Sequence, residues 1–443
     1  MPYSPMDASL RRKQLTELKQ DSEAYSSKDI YYKGENNLME VYRIPLKYLV
    51  FNPYNHRIAT FVKTHERLHG VIDVETDEGS GLIEKFLMRS NIRRNEQTKK
   101  DLEIKKQQEP GIVTADGVII SGNRRFMLLK KIAEYNGDPA PYFKAVILDD
   151  TMKSNRQEIM KLETIYQSGV DERVEYSPIQ RYLQCKEFKS KDVSADEIAS
   201  MMGEKESTIE KYLEIMELMD AYLEHCGYEG IYMVLDAEQQ VERFENMHSY
   251  LKRYKSNPPA HCSWVIEDDD IDDLKLIYFD YTRLGGRVPV DEARQIGNPT
   301  SSARKKGFFT EEKIWQQFRK KHFETVDEFQ KHEQTLDQLR ADNPDVDEMV
   351  LIQEREEKFK DDVGGKFEGN FNVAKEKIEN QADKGEPLKL LERAINSLNA
   401  IDVNSDAFIV NSKKVKSLAH SIRKKSELFI KTIEKNIKDV VRR

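Results

Sequence analysis

The chain has 443 residues, of which 38% are hydrophobic and 34% are charged. This length predicts about two to four domains, and the apolar fraction is sufficient for packed cores. There is no run of about 18 apolar residues, which argues against a membrane-spanning helix. With 71 basic and 79 acidic residues, the net charge of −8 argues against coating nucleic acid over the whole surface. Three cysteines and a polar N-terminus favour the cytoplasm.

The chain is expected to begin with a polar, helical leader at residues 1–38. Residues 39–152 mix short β-rich runs with helical patterns, which predicts an α+β domain. Strand signals then nearly vanish, so a mostly α-helical remainder is expected, with the glycine-rich segment 364–369 as a flexible join. The predicted domains of this remainder are 153–235, 236–362 and 370–443.

Two arginines follow a glycine at the point where a predicted strand gives way to a helix. Gly122 ends the β-rich run, and Asn123, Arg124 and Arg125 begin the helix. Positive side chains at this end oppose the helix dipole. The arrangement is reasonable if an anion is bound there by backbone N–H and guanidinium groups, with glycine allowing close approach. The alternative is a pair of surface arginines that bind local carboxylates.

This turn and three further motifs resemble, in the same order, the ParB/sulfiredoxin-like superfamily. Residues 122–125 (Gly-Asn-Arg-Arg) are similar to its phosphate-binding motif, with Asn where Glu is usual. Asn52-Pro53 followed by Arg57 is similar to the ParB segment Asn-Pro-x-x-x-Arg. Glu163-Thr164 resembles the Glu-Asn of the third nucleotide motif, and residues 173–179 resemble the segment that leads into the helical domain. The resemblance covers roughly residues 40–220.

The resemblance implies a bacterial protein with a nucleotide-binding domain followed by a DNA-binding helical domain. Glu163 would lie near the phosphates, bind Mg²⁺, which prefers carboxylate oxygens, and be the catalytic residue if the nucleotide is hydrolysed. The nucleoside triphosphate, CTP in typical ParB proteins, would be contacted by Arg57, Gly122, Asn123, Arg124, Arg125, Glu163 and Thr164.

Residues 194–217 have the spacing of a helix-turn-helix. Ser194 and Glu197 form a capping box, Ala199 and Gly203 are four residues apart, and Ile209 follows six residues later. The residues that could reach bases or phosphates are Lys205, Ser207, Thr208 and Lys211. Because four glutamates (204, 206, 210 and 214) make the second helix acidic, a trihelical fold that binds protein, or nothing, is the alternative.

Two weaker patterns favour ordinary surface structure. His65-Glu66-x-x-His69 matches a zinc-peptidase motif, but charged neighbours, an early Gly70 and the lack of a clear third ligand favour a surface helix. The acidic run at residues 267–273 is more typical of a solvated loop and an acidic helix start than of a metal site or a mimic of nucleic-acid phosphate.

Positive charge is concentrated at the C-terminal end. Residues 411–443 hold 11 basic and three acidic residues, a net charge of +8, so the first 410 residues carry −16. Apolar residues line one side of the last helix, which predicts a packing or oligomerising helix with a basic outer face; contact with DNA or a membrane surface is the alternative. The apolar residues are Val415, Leu418, Ile422, Phe429, Ile433 and Ile437.

We therefore expect a ParB-like, homo-oligomeric protein whose triphosphate site controls binding to DNA or to a partner. An enzyme on the same scaffold is one alternative: an NTPase, phosphotransferase or nuclease in phage defence or a mobile element. Another is a helical scaffold that binds a protein through its C-terminal helices. No membrane partner is expected.

Overall fold

The chain divides into two compact units, residues 1–375 and 376–443. The computed structural model describes residues 5–138, 141–166, 177–236, 238–382 and 386–441. Residues 39–362, which the sequence divides into three domains, all belong to the first unit. Within the described ranges no helix has the length and apolar content needed to cross a bilayer.

A five-stranded mixed sheet is the centre of the N-terminal part. Its strands are β1 (Ser26–Tyr32), β2 (Glu35–Pro45), β3 (Gly111–Val113), β4 (Ile119–Ser121) and β5 (Tyr142–Ile147). They lie in the order β1-β2-β5-β3-β4, and β3 pairs with β5 in parallel while the other pairs are antiparallel. The short strands expected between residues 39 and 152 are thus confirmed.

Helices pack on both faces of this sheet, because side chains alternate between faces along each strand. Val113 and Ile119 enter one buried cluster, whereas Ile112 and Ile120 enter the other. The helices before and between the strands are α1 (Ala8–Asp21), α2 (Ala59–His69), α3 (Asp77–Ser90), α4 (Ile92–Lys105) and α5 (Asn123–Asn136).

The N-terminal segment differs from the predicted helical leader. α1 is present, but β1 pairs with β2 from Ser26 onward, and Leu15 of α1 is buried in the sheet core. The strand escaped prediction because it lies at the sheet edge, where only Ile30 and Tyr32 are buried and Lys28 and Asp29 interrupt the apolar pattern. Residues 8–38 are therefore part of the sheet domain.

The remainder is mostly helical, as predicted. Its helices are α6 (Arg156–Ile165), α7 (Pro178–Lys189), α8 (Ala195–Met202), α9 (Glu206–Cys226), α10 (Glu238–Ser256), α11 (Asp268–Arg283), α12 (Val290–Ala293), α13 (Glu312–Gln330), α14 (Leu336–Asp342), α15 (Glu348–Ala382), α16 (Glu386–Asn399), α17 (Asp406–Val410) and α18 (Ser412–Val441).

The prediction of a flexible join at residues 364–369 is wrong, because α15 runs through this segment without a break. A Cβ on Gly364 would lie 2.5 Å from the Arg287 Nη1 atom, so this glycine lets a side chain approach the helix closely. The boundary between the two compact units falls after Lys375, inside α15, rather than at residue 370.

Candidate anion-binding cleft

The glycine-arginine turn joins β4 to α5 in a conformation that requires glycine. Gly122 has φ +108° and ψ 15°, in the left-handed region that side chains disfavour. A Cβ at this position would lie 2.6 Å from Cζ of the buried Phe143 ring. Both the backbone conformation and the close packing therefore exclude a side chain here.

A buried chain of hydrogen bonds fixes this turn to two other predicted motifs. Oδ1 of Asn123 accepts the backbone N–H of Asn52 at 3.0 Å, and its Nδ2 donates to the Ile119 carbonyl at 2.8 Å. Nδ2 of Asn52 donates to Oε2 of Glu163 at 3.0 Å. Since Asn52, Asn123 and Glu163 are all buried, these bonds form in a low dielectric, where they strongly favour one arrangement.

A cleft of about 520 Å³ opens beside the turn. Four predicted site residues line it together: Arg57, Gly122, Arg124 and Arg125. The other lining residues come from α4 and the loop after it: Arg94, Gln97, Thr98, Asp101, Leu102, Lys105, Lys106, Gln108 and Glu109. The described lining thus holds six basic and two acidic side chains, an excess of four positive charges that favours an anionic ligand.

The basic residues of α4 were missed by sequence analysis. Within this polar helix only Asn95 and Leu102 are buried, so it lacks the apolar stripe that predicts a helix. Its one usable signal was Asn91, whose side chain caps the helix by accepting the backbone N–H of Arg94 at 2.9 Å. The missed helix supplies Arg94 and Lys105 to the cleft.

Two of the predicted arginines are restricted by their surroundings. Nη1 of Arg125 donates to the Glu109 carbonyl at 2.5 Å, and Arg124 is only 8% exposed. The main-chain carbonyl of Arg57 accepts Nε2 of Gln180 at 2.7 Å, which connects the cleft to the first turn of α7. The Arg125 guanidinium, already held by the Glu109 carbonyl, loses less entropy when it binds a phosphate oxygen.

Glu163 and Thr164, on α6, are fully buried and are not part of the described cleft lining. Oγ1 of Thr164 donates to the Met160 carbonyl and accepts Nε2 of Gln184, both at 2.9 Å. The carboxylate of Glu163 accepts the Asn52 side chain. Glu163 therefore connects α6 to the turn through Asn52, whereas Thr164 connects α6 to α7. Residues 173–176 of the resembling segment lie outside the described residues.

α8 and α9 are the two helices of the segment that the sequence predicts as a helix-turn-helix. Gly203, with φ +67°, makes the turn, and Ala199 and Ile209 are buried where the helices cross. The Ser194 and Glu197 capping box is confirmed. This part of the sequence prediction held because the cap, the glycine and the apolar spacing are all local signals.

The surface of this motif carries charges of both signs. Lys205, Ser207 and Lys211 are exposed and Thr208 is half-buried. Nζ of Lys211 lies 3.8 Å from Oε1 of Glu245. The exposed glutamates are Glu204, Glu206 and Glu210. The first turns of α9 are therefore accessible, but they do not form a basic face.

The two weaker patterns behave as surface structure. The His65 and His69 rings lie 4.8 Å apart on α2, and His69 Nε2 is 3.4 Å from Glu348 Oε2. Among the described residues, no group of three or more His, Cys, Asp and Glu side chains is arranged to hold a metal ion. The acidic run forms the first turn of α11, with a capping box between Glu267 and Asp270.

No protein-family model matches this chain, and no curated protein matches it. The cleft and the motifs that form it are therefore the basis for a functional inference.

Proposed function

We propose that the chain is a ParB-like protein whose cleft binds a nucleoside triphosphate, and that occupancy controls binding to DNA or to a protein partner. The supporting observation is the convergence of Arg57, Gly122, Arg124 and Arg125, from two distant segments, on one basic cleft. CTP is the first candidate because the order of motifs resembles ParB. The Asn52 hydrogen bonds join the three motif segments beneath this cleft.

The charge and chemistry of the cleft suit a polyphosphate. Guanidinium groups bind phosphate oxygens through paired hydrogen bonds, and three of the six basic residues are the predicted arginines. The turn places the N-terminus of α5, whose dipole favours an anion, beside the cleft. The base and ribose would then lie toward the α4 wall.

Mg²⁺ would accompany the nucleotide chiefly through phosphate oxygens and water. The carboxylates that line the cleft are Asp101 and Glu109, whereas the Glu163 carboxylate is buried and bound to Asn52. Glu163 therefore does not fit the role of a direct metal ligand, and we assign it no step in catalysis.

Calorimetric titration of the folded protein with CTP, ATP and GTP, each with and without Mg²⁺, tests the proposal. We expect saturable binding that Arg124→Ala and Arg125→Ala reduce at least about tenfold, the loss of one charge-assisted phosphate contact. Lys131→Ala is the matched control, since Lys131 lies on the same helix but pairs with Glu84 away from the cleft. Wild-type protein that is folded and binds none of the three nucleotides would refute the proposal.

A protein partner for the helix-turn-helix is a second candidate, favoured by the exposed glutamates at the start of α9. Fluorescence anisotropy with labelled duplex DNA, with and without the best nucleotide, separates the two. Binding that falls with rising salt and is weakened by Lys205→Ala and Lys211→Ala supports DNA. DNA binding that is absent with and without nucleotide supports the protein partner.

A further inference from the structure

α18 is a long helix whose apolar side chains are exposed within the part of the chain that the structure describes. Every residue from 416 to 437 is exposed. Leu418, Phe429, Ile433 and Ile437 are each more than half exposed, and Ile422 is 43% exposed. The sequence predicts a packing or oligomerising helix here, and an exposed stripe of this size is normally covered by something.

The stripe has an 11-residue spacing in its middle turns. Leu418 and Phe429 are 11 residues apart. Eleven residues make three turns at about 3.67 residues per turn, so the stripe runs almost straight along the helix. Val415, Ile422 and Phe429 also follow a seven-residue spacing, but the polar Asn436 stands at the next heptad position. The heptad pattern therefore ends after two repeats, short of the about three to four heptads that indicate a coiled coil.

The rest of the helix is basic. Residues 412–441 contain nine basic and three acidic residues, a net charge of +6. At 100° per residue, Lys414 and Lys425 border one edge of the stripe, and Lys416 and Arg423 border the other. Long basic side chains at the border of an apolar face can reach anionic headgroups while their methylene stems stay in apolar surroundings.

We propose, against the expectation of no membrane partner, that α18 binds in the plane of an anionic lipid surface without spanning it, with the stripe in the headgroup region and the basic residues against lipid phosphates. Such a surface satisfies both faces of the helix at once. A second copy of α18 would cover the stripe but would bring two helices of charge +6 together. Nucleic acid would neutralise the charge but leave the stripe exposed. The acidic remainder of the chain is screened over about 8 Å at physiological ionic strength.

Vesicle flotation with the full chain tests this contact. Vesicles of phosphatidylcholine with 30% phosphatidylglycerol are compared with vesicles of phosphatidylcholine alone. We expect at least about tenfold tighter binding to the anionic vesicles, weakened by salt, because each basic residue near the surface contributes. Phe429→Ser and Ile422→Ser should each reduce binding to anionic vesicles about fivefold or more.

Leu428→Ser is the matched control. Leu428 is 61% exposed and adjacent to Phe429, but it lies on the polar side of the helix. We expect this variant to bind like the wild type. Equal losses for Leu428→Ser and Phe429→Ser, or equal binding to both kinds of vesicle, would overturn the proposal. So would a wild-type dimer in sedimentation velocity that Phe429→Ser makes monomeric while neither protein binds vesicles, or DNA binding that needs Phe429 without any vesicle binding.

Discussion

Asn52 and Glu163 lie 111 residues apart in sequence and share a buried hydrogen bond of 3.0 Å between Nδ2 and Oε2. Because Asn52 also gives its backbone N–H to Asn123, it positions the glycine-arginine turn relative to α6. Asn52→Ala removes a donor from a buried carboxylate, which should lower the free energy of unfolding by about 3 kcal/mol. It should also weaken nucleotide binding. Urea unfolding and calorimetry measure the two effects.

Thr335→Ala provides the control for Asn52→Ala. The Thr335 side chain caps α14 by accepting the backbone N–H of Gln338 at 3.3 Å, at an exposed position. Its loss should cost about 1 kcal/mol and leave nucleotide binding unchanged. If both variants lost equal stability and kept wild-type affinity, Asn52 would not be a positioning residue.

Gly122→Ala should disrupt the cleft more than an ordinary glycine substitution. The added methyl group would meet both a positive φ and the Phe143 ring at 2.6 Å, so we expect a loss of about 3 kcal/mol or more and loss of nucleotide binding. Gly137→Ala is the comparison, because Gly137 also has a positive φ but a Cβ there has nothing within 4 Å. It should cost only about 1 kcal/mol. Similar thermal unfolding midpoints for Gly122→Ala and Gly137→Ala would show that Phe143 does not restrict the turn.

The α4 wall should contribute to affinity. Arg94→Ala and Lys105→Ala each remove a positive charge from the cleft and should raise the Kd for the nucleotide about threefold to tenfold, less at high salt. Lys100→Ala changes an exposed lysine of the same helix that is not part of the described lining. It should leave the Kd unchanged in the same titrations. Equal increases in Kd for all three variants would mean that α4 acts only through its net charge.

Local patterns predicted much of the site, and packing determined what they missed. The glycine-arginine turn and the helix-turn-helix follow from short-range spacing, and both turns occur where expected. α4 has too few apolar residues to be recognised as a helix from the sequence. Its Asn95 is buried, and the side chain donates to the carbonyls of Leu87 and Met88, contacts that the sequence does not reveal. Glu163 was placed at the phosphates because sequence does not reveal the direction of a side chain. Its orientation toward Asn52 depends on how α6 packs against the sheet.

His56 makes stability depend on pH. It is buried beside Phe188, and among the described residues neither ring nitrogen has a hydrogen-bond partner. Burial lowers the pKa of His56 to about 4; Glu187 raises it by a smaller amount, and Lys191 lowers it further. Because the unfolded pKa is about 6.5, the stability present above pH 6.5 should fall by about 3 kcal/mol as pH drops toward 4.

Urea unfolding between pH 7 and pH 4 tests this dependence with two variants. His56→Leu fills the same space without a titrating group, so the fall in stability should be about 3 kcal/mol smaller than in the wild type. Ile58→Val removes one methyl group from a buried residue two positions away, introduces no titrating group and should keep the wild-type slope. An unchanged slope in His56→Leu would assign the pH dependence to other groups.

Arg283 joins the helices of the C-terminal part of the first unit. This side chain is 5% exposed and binds Glu333 at 2.9 Å and Glu356 at 3.0 Å, with its guanidinium 3.7 Å from the centre of the Phe359 ring. Arg283→Met keeps most of the volume but takes the shared cation away from two half-buried carboxylates, of which Glu333 keeps a second partner in Arg355. We expect a loss of about 2–3 kcal/mol in urea unfolding. Lys366→Met breaks an exposed pair with Glu328 and should leave the midpoint unchanged, since solvent screens that pair.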